Sequence, residues 1–172
     1  MHRIAILFVC FTIACSGQKD SKSGAGLASA NTKEFYEQFS EFKLPSELDF
    51  CGERVPLEIP EVRERAEREF YSLLQQPGQV ILYLKRSGRY FPMFEKQLTA
   101  AAAPDDLKYL SVAESALYMS RSPKGALGLW QFIPETGKRM GLIVDEYVDE
   151  RMNPEKSTRA AIDYLRIGYD SN

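Results

Sequence analysis

Histidine is nearly missing from this chain. Its 172 residues contain one, His2, at the extreme N-terminus. That excludes Ser-His and Cys-His catalysis, histidine-containing zinc sites and HExxH chemistry. Any chemistry must run on carboxylates, hydroxyls, amides or backbone, and no metal or other cofactor is called for. Cysteine is scarce too, with three residues, so a disulfide framework is excluded. Cys51, with no histidine to activate it, reads as a packed thiol and not a nucleophile. Charge of one sign is also lacking: 22 Lys plus Arg face 24 Asp plus Glu, for a net charge of −2. Nothing global therefore favours a nucleic-acid partner. Strand alternation of useful length and internal repeats are absent as well. What is present is 44% hydrophobic and 27% charged residues, the composition of an ordinary globular protein of about one domain.

The apolar run Ile4 to Cys15 follows a basic start, His2-Arg3, and precedes Ser16-Gly17-Gln18. A membrane span needs about 20 apolar residues, so this run reads as a secretory signal over residues 1–15. Ala14-Cys15 resembles the end of a bacterial lipobox, with Thr12 where Leu is usual, which would make Cys15 a lipidated first residue. The alternative is a plain cleaved signal. Residues 16–34 are rich in Ser, Gly, Ala and Lys, as a tether would be. An aromatic patch, Phe35, Tyr36, Phe39 and Phe42, then leads to Pro45, closing a tether region of 16–45.

Residues 46–60 read as irregular connection, because of Gly52, Pro56 and Pro60. From Pro60 the chain is helical, with Val62, Ala66, Phe70 and Leu73 on one stripe. Glu61–Arg65 and Glu64–Arg68 are expected ion pairs. Pro77-Gly78 breaks that helix. A second helix is expected up to Gly88, and a third from about Pro92 to Ala103. Residues 46–102 thus form an N-terminal helical region, and 103–172 a second domain.

Pro104-Asp105-Asp106-Leu107 opens the next helix. Leu107, Leu110 and Leu117 fall on one side, while Asp105, Lys108 and Tyr109 fall on the other. Glu114 lies within the apolar stripe. One explanation is a core glutamate paired with Arg121 or Arg139. The other is a general acid, since burial disfavours the charged form. At an ordinary pKa of about 4.3, about 0.2% of a glutamate is protonated at neutral pH. At about 6 the fraction is about 10%, for roughly 2.3 kcal/mol of differential stabilisation. Ser115 is placed to orient the carboxyl by a hydrogen bond. Downstream, Gly125 and Gly128 permit close backbone approach. Trp130 offers either a sugar-stacking face or a core residue, and Gln131 offers donor and acceptor for hydroxyls and acetamides. Pro134 to Met140 is a short helix stopped by Gly141. Asn153 caps another, with Thr158, Ala161, Ile162, Leu165 and Tyr169 on its buried stripe.

Glu114-Ser115, then Ser122-Pro123-Lys124-Gly125-Ala126-Leu127-Gly128-Leu129-Trp130-Gln131-Phe132, then Pro134-Glu135-Thr136-Gly137, resemble the soluble-lytic-transglycosylase domain from about Pro104 to Tyr169. Weaker similarity reaches back to about Leu48. The stretch Ala116 to Arg121 lacks the Asn-Pro usual in relatives. The resemblance implies an all-α fold: a helical arm, then a domain like goose-type lysozyme, here truncated at the C-terminus. It implies cleavage of the β-1,4 bond between N-acetylmuramic acid and N-acetylglucosamine of peptidoglycan, with formation of a 1,6-anhydro ring. Glu114 would be the catalytic residue, acid first and base afterwards. Ser115, Gly128, Leu129, Trp130 and Gln131 would bind the glycan strand. The implied setting is the bacterial envelope, with an outer-membrane lipid anchor at Cys15. The competing reading is a truncated, non-catalytic peptidoglycan-binding lipoprotein.

Overall fold

The computed structural model describes residues 42–170. Residues 43–172 form one compact unit, and that unit is the one described. The signal segment, Cys15, the aromatic patch up to Phe39 and nearly all of the tether lie outside the described residues. Among those described, no helix is long and apolar enough to cross a membrane.

The stretch 46–60 is more ordered than its composition suggests. Asp49–Phe50 (β1) pairs antiparallel with Glu53–Arg54 (β2). Between them Cys51 and Gly52 both take positive φ, 56° and 80°, the turn that matches the twist of two strands. The Cys51 N–H donates to Asp106 Oδ2 at 2.8 Å, which fixes the hairpin to the following domain. Burial and the Asp106 charge push the Cys51 thiol pKa up, so it is an unactivated thiol.

Helix α1 spans Pro60–Leu74, with Pro60 in its first turn, where a missing N–H costs nothing. It buries none of its residues fully, and Leu73 stays exposed. Its ion pair along the helix is Arg63–Glu67 at 3.9 Å, with Arg68–Glu69 beside it, in place of the two pairs expected. The two helices expected on either side of Gly88 are one, α2, Pro77–Ala100, with Pro92 inside it. Pro92 brings no N–H, so the carbonyl of Gly88 four residues earlier loses its usual donor. Burial outweighs that loss: Phe94 is 0% and Leu98 1% exposed, both in the second half of the helix.

A 3-10 turn at Asp105–Leu107 leads into α3, Lys108–Ser115. Lys108, expected on the outer face, is buried. Glu95 at 2.7 Å and Asp105 take its ammonium, which lies 5.3 Å and 5.5 Å from the rings of Phe91 and Tyr109. Burial works to lower its pKa, but those carboxylates outweigh it and raise it. Leu117 is buried, yet lies beyond the helix end and not on its stripe. A long loop carries short bridges, Arg121 to Leu127 and Leu127 to Phe132. Helix α4, Pro134–Arg139, then a 3-10 turn at Glu150–Met152 and helix α5, Pro154–Asp170, complete the domain.

Phe94, Leu98, Leu117, Leu129, Trp130, Phe132, Leu142, Ala160, Ala161 and Ile162 form the core. One apolar cluster therefore joins the segments 46–102 and 103–172. Helix α5 buries Thr158, Ala161 and Ile162, but Tyr169 is 85% exposed, against expectation. The core residues of the domain end at Ile162, and Tyr169 lies two turns further along the helix.

Candidate active site

Glu114 occupies the last turn of α3. The residue as a whole is exposed, yet burial of its carboxyl raises its pKa above the ordinary range. These observations fit a side chain with one face open and one against protein. Among the described residues it forms no ion pair with Arg121 or Arg139, and no hydrogen-bond donor reaches it. Glu114 is thus neither a core salt bridge nor a simple surface carboxylate.

Several bonds fix the backbone under it. Ser111 Oγ donates to Leu129 O at 3.0 Å. Ser115 Oγ lies 2.8 Å from Leu129 O and 3.0 Å from Ser111 O. One buried carbonyl thereby holds the helix through two hydroxyls. The expected hydrogen bond from Ser115 to Glu114 is not what forms, because the serine faces Leu129. Ala116 and Leu117 both follow in the left-handed region, at φ 55° and 54°. A β-carbon makes that conformation cost about 1–2 kcal/mol per residue, so the surroundings must enforce it. Arg86 of α2 contributes: its Nη1 donates to Ala116 O at 2.9 Å, and its guanidinium lies 5.0 Å from the Tyr118 ring. Sequence reasoning missed Arg86, for which there is no local signal; only the fold brings it thirty residues back to the helix end.

The loop Ser120–Phe132 is tied to this helix end through the Leu129 carbonyl. Trp130 is in the core: its Nε1 donates to Thr158 Oγ1 at 2.9 Å and its ring lies 5.2 Å from Phe94. With 8% exposure it takes the core position, one of the two that the sequence left open. Leu129, 0% exposed, is likewise in the core, and its carbonyl is the acceptor of the two serine hydroxyls. Gln131 takes φ 48°, and its Nε2 donates to Gly128 O at 2.7 Å and Ser120 O at 3.0 Å. Its donor side is spent on the loop, which leaves Oε1 as its open polar atom. Gly128, at φ 82°, is demanded by packing, since a β-carbon there would sit 2.1 Å from Arg151 O. At Gly125 nothing lies within 4 Å, and its φ of 78° alone explains the residue.

Arg151 is a second residue that sequence reasoning passed over. It is 2% exposed, and each of its three guanidinium nitrogens donates a hydrogen bond. Nε and Nη2 donate to Asp149 at 2.9 and 2.6 Å, and Nη1 donates to Gly125 O and Phe132 O, both at 2.9 Å. One guanidinium therefore ties the middle of the glycine-containing loop to its C-terminal end. The Arg151 side chain leads the causes that hold the Asp149 carboxyl below its ordinary pKa. Gly137 has the Arg151 stem 3.2 Å from where a β-carbon would be.

The segment that carries this carboxylate and loop has a counterpart in sequence among known families. Residues 91–171 match the family described as Transglycosylase SLT domain. Over just under half of its length the chain is thus similar to a lytic transglycosylase domain. Two curated relatives share the name Membrane-bound lytic murein transglycosylase D, from Escherichia coli strain K12 and from Escherichia coli O6:H1 strain CFT073. Each is 28% identical over 118 residues, which is 68% of this chain and 26% of the relative. The chain spans about a quarter of the length of these relatives.

Proposed function

We propose that this protein cleaves the β-1,4 bond between N-acetylmuramic acid and N-acetylglucosamine in peptidoglycan, with Glu114 as acid and then base. In the first step the protonated carboxyl gives its proton to the glycosidic oxygen, and the bond to the muramyl C1 breaks. In the second the carboxylate takes the proton of the muramyl C6 hydroxyl, whose oxygen closes on C1. No water is consumed and Glu114 ends protonated, ready for the next bond. The observation that carries this reading is the raised pKa of a carboxyl with no partner among the described residues. A cationic partner would hold it ionised and unable to begin. The matched family and the murein enzymes among its relatives supply the substrate class.

Gly128 and Gln131 would line the glycan site, while Ser115, Leu129 and Trp130 would fix its geometry from behind. The setting we propose is the bacterial envelope, with the protein held at the outer membrane by a lipid on Cys15. No nucleic acid or cofactor enters this scheme. The test is incubation with purified peptidoglycan and mass analysis of the products. Muropeptides ending in 1,6-anhydro-muramic acid are expected from the wild type, and Glu114→Gln should reduce them by at least about 100-fold. Products undiminished in Glu114→Gln would remove Glu114 from the mechanism. Binding to insoluble peptidoglycan with no turnover would favour a non-catalytic binding protein.

A further inference from the structure

We propose that Arg86, on the arm helix α2 and outside the matched residues 91–171, is a positioning residue for Glu114. The inference rests on the assignment of Glu114 made above. Its basis is where the guanidinium goes. The carbonyls of the last helical turn have no partner within the helix, and Ala116, which caps α3, sits in the left-handed region. Arg86 Nη1 takes the Ala116 carbonyl at 2.9 Å, two residues after Glu114. The same guanidinium lies over Tyr118, itself exposed, at 5.0 Å. One side chain of the arm thus holds both the cap of the catalytic helix and the residue two positions beyond it.

The clamp works on backbone and leaves the carboxylate alone. Arg86 forms no ion pair with Glu114, and no charged side chain among the described residues does. Burial is the cause that raises the Glu114 pKa, without a charged contributor. A cation placed this way fixes the direction of the helix end without neutralising the acid, which direct pairing would do. The underside of the same turn is held by Ser111 and Ser115 on Leu129 O. Arg86 holds the remaining side, where Ala116 and Leu117 would otherwise relax from positive φ.

The test pairs kinetics with a direct titration. Arg86→Ala, Arg86→Lys, Tyr118→Ala and a control, Arg89→Ala, are compared with the wild type. Arg89 is exposed on the same helix, lies 5.9 Å from the Tyr90 ring and forms no ion pair among the described residues, so its removal controls for charge. Each variant is assayed for kcat and KM on peptidoglycan, and the Glu114 carboxyl is titrated by carbon-13 NMR. Arg86→Ala should lower kcat about 10-fold or more with KM little changed. Its Glu114 titration should fall toward the ordinary glutamate range as the turn relaxes into water. Arg86→Lys, which keeps a donor for Ala116 O, should recover part of both. Tyr118→Ala should move both in the same direction by less, and it tests the clamp should Arg86→Ala not fold. Arg89→Ala should match the wild type.

A wild-type kcat and an unmoved Glu114 titration in Arg86→Ala and Tyr118→Ala would overturn the proposal. So would a fall in kcat that tracks thermal stability while the titration stays fixed. Failure of the underlying assignment looks different: Glu114→Gln would stay active, yet the carboxyl titration would still report whether Arg86 shapes its surroundings.

Discussion

Among the described carboxylates whose titration the fold perturbs, Glu114 alone moves upward; Glu58, Asp145, Asp149 and Glu150 all move down, each with a hydrogen-bond donor in attendance. The difference is one of partners. A glutamate whose folded pKa exceeds its unfolded value carries no stability penalty below about pH 4. The penalty is complete above the folded pKa. Glu114→Gln should therefore be slightly more stable than the wild type at neutral pH, with the advantage vanishing as pH falls toward about 4. Thermal unfolding across that range measures it; equal stability at neutral pH would contradict the burial of this carboxyl. Gly128→Ala should cost about 2 kcal/mol or more in chemical denaturation, because a β-carbon at 2.1 Å from Arg151 O forces backbone to move. Sequence showed Glu114 clearly, because one carboxylate in an apolar stripe is visible on a helical wheel. It left Trp130 open between core and cleft, since an indole suits both, and only the contact with Thr158 decides.

Helix α2 crosses two residues that ordinarily end helices, Gly88 and Pro92. Local propensity splits it, whereas the burial of Phe94 and Leu98 keeps it whole, a tertiary gain that no window of sequence contains. Gly88 has nothing within 4 Å of a potential β-carbon and a negative φ, so Gly88→Ala should stabilise the protein by about 0.5–1 kcal/mol. A lower melting temperature would show that the helix needs the glycine beside Pro92. The turn Asp149–Arg151 carries the opposite kind of dependence. Asp149 is held below its ordinary pKa, first by the Arg151 side chain. Its contribution to stability is full above about pH 4 and is lost as pH falls through the lowered value. Asp149→Asn should cost about 3 kcal/mol at neutral pH, by leaving a buried guanidinium unpaired, and should flatten the acid limb of the stability curve. A long-range hub of this kind is illegible in sequence, because Arg151 reaches Gly125 and Phe132 only after folding.

At the scale of the molecule, the arm and the segment 103–172 share one core. Phe94 of α2 packs on Trp130, and Leu98 lies in the same cluster as Ala160 and Ala161. A fragment beginning at residue 103 should therefore lack fixed near-ultraviolet dichroism, while one beginning at residue 43 should keep it. Sequence placed a division at 102/103 because Pro104 opens a helix, and a proline marks a change of element without saying whether the core continues across it. The continuity of α2 also bears on how the gene can vary. Arg86 meets Ala116 from the same rod that delivers Phe94 to the core. Inserting a single codon between them would turn Arg86 by about 100° around the axis and carry it away from Ala116. Adding seven would nearly restore the angle but shift it by about 10 Å. Between these two anchors Gly88, Arg89 and Pro92 are exposed and can change in identity, but the spacing cannot. In this stretch of the gene, an insertion or deletion is the more damaging event.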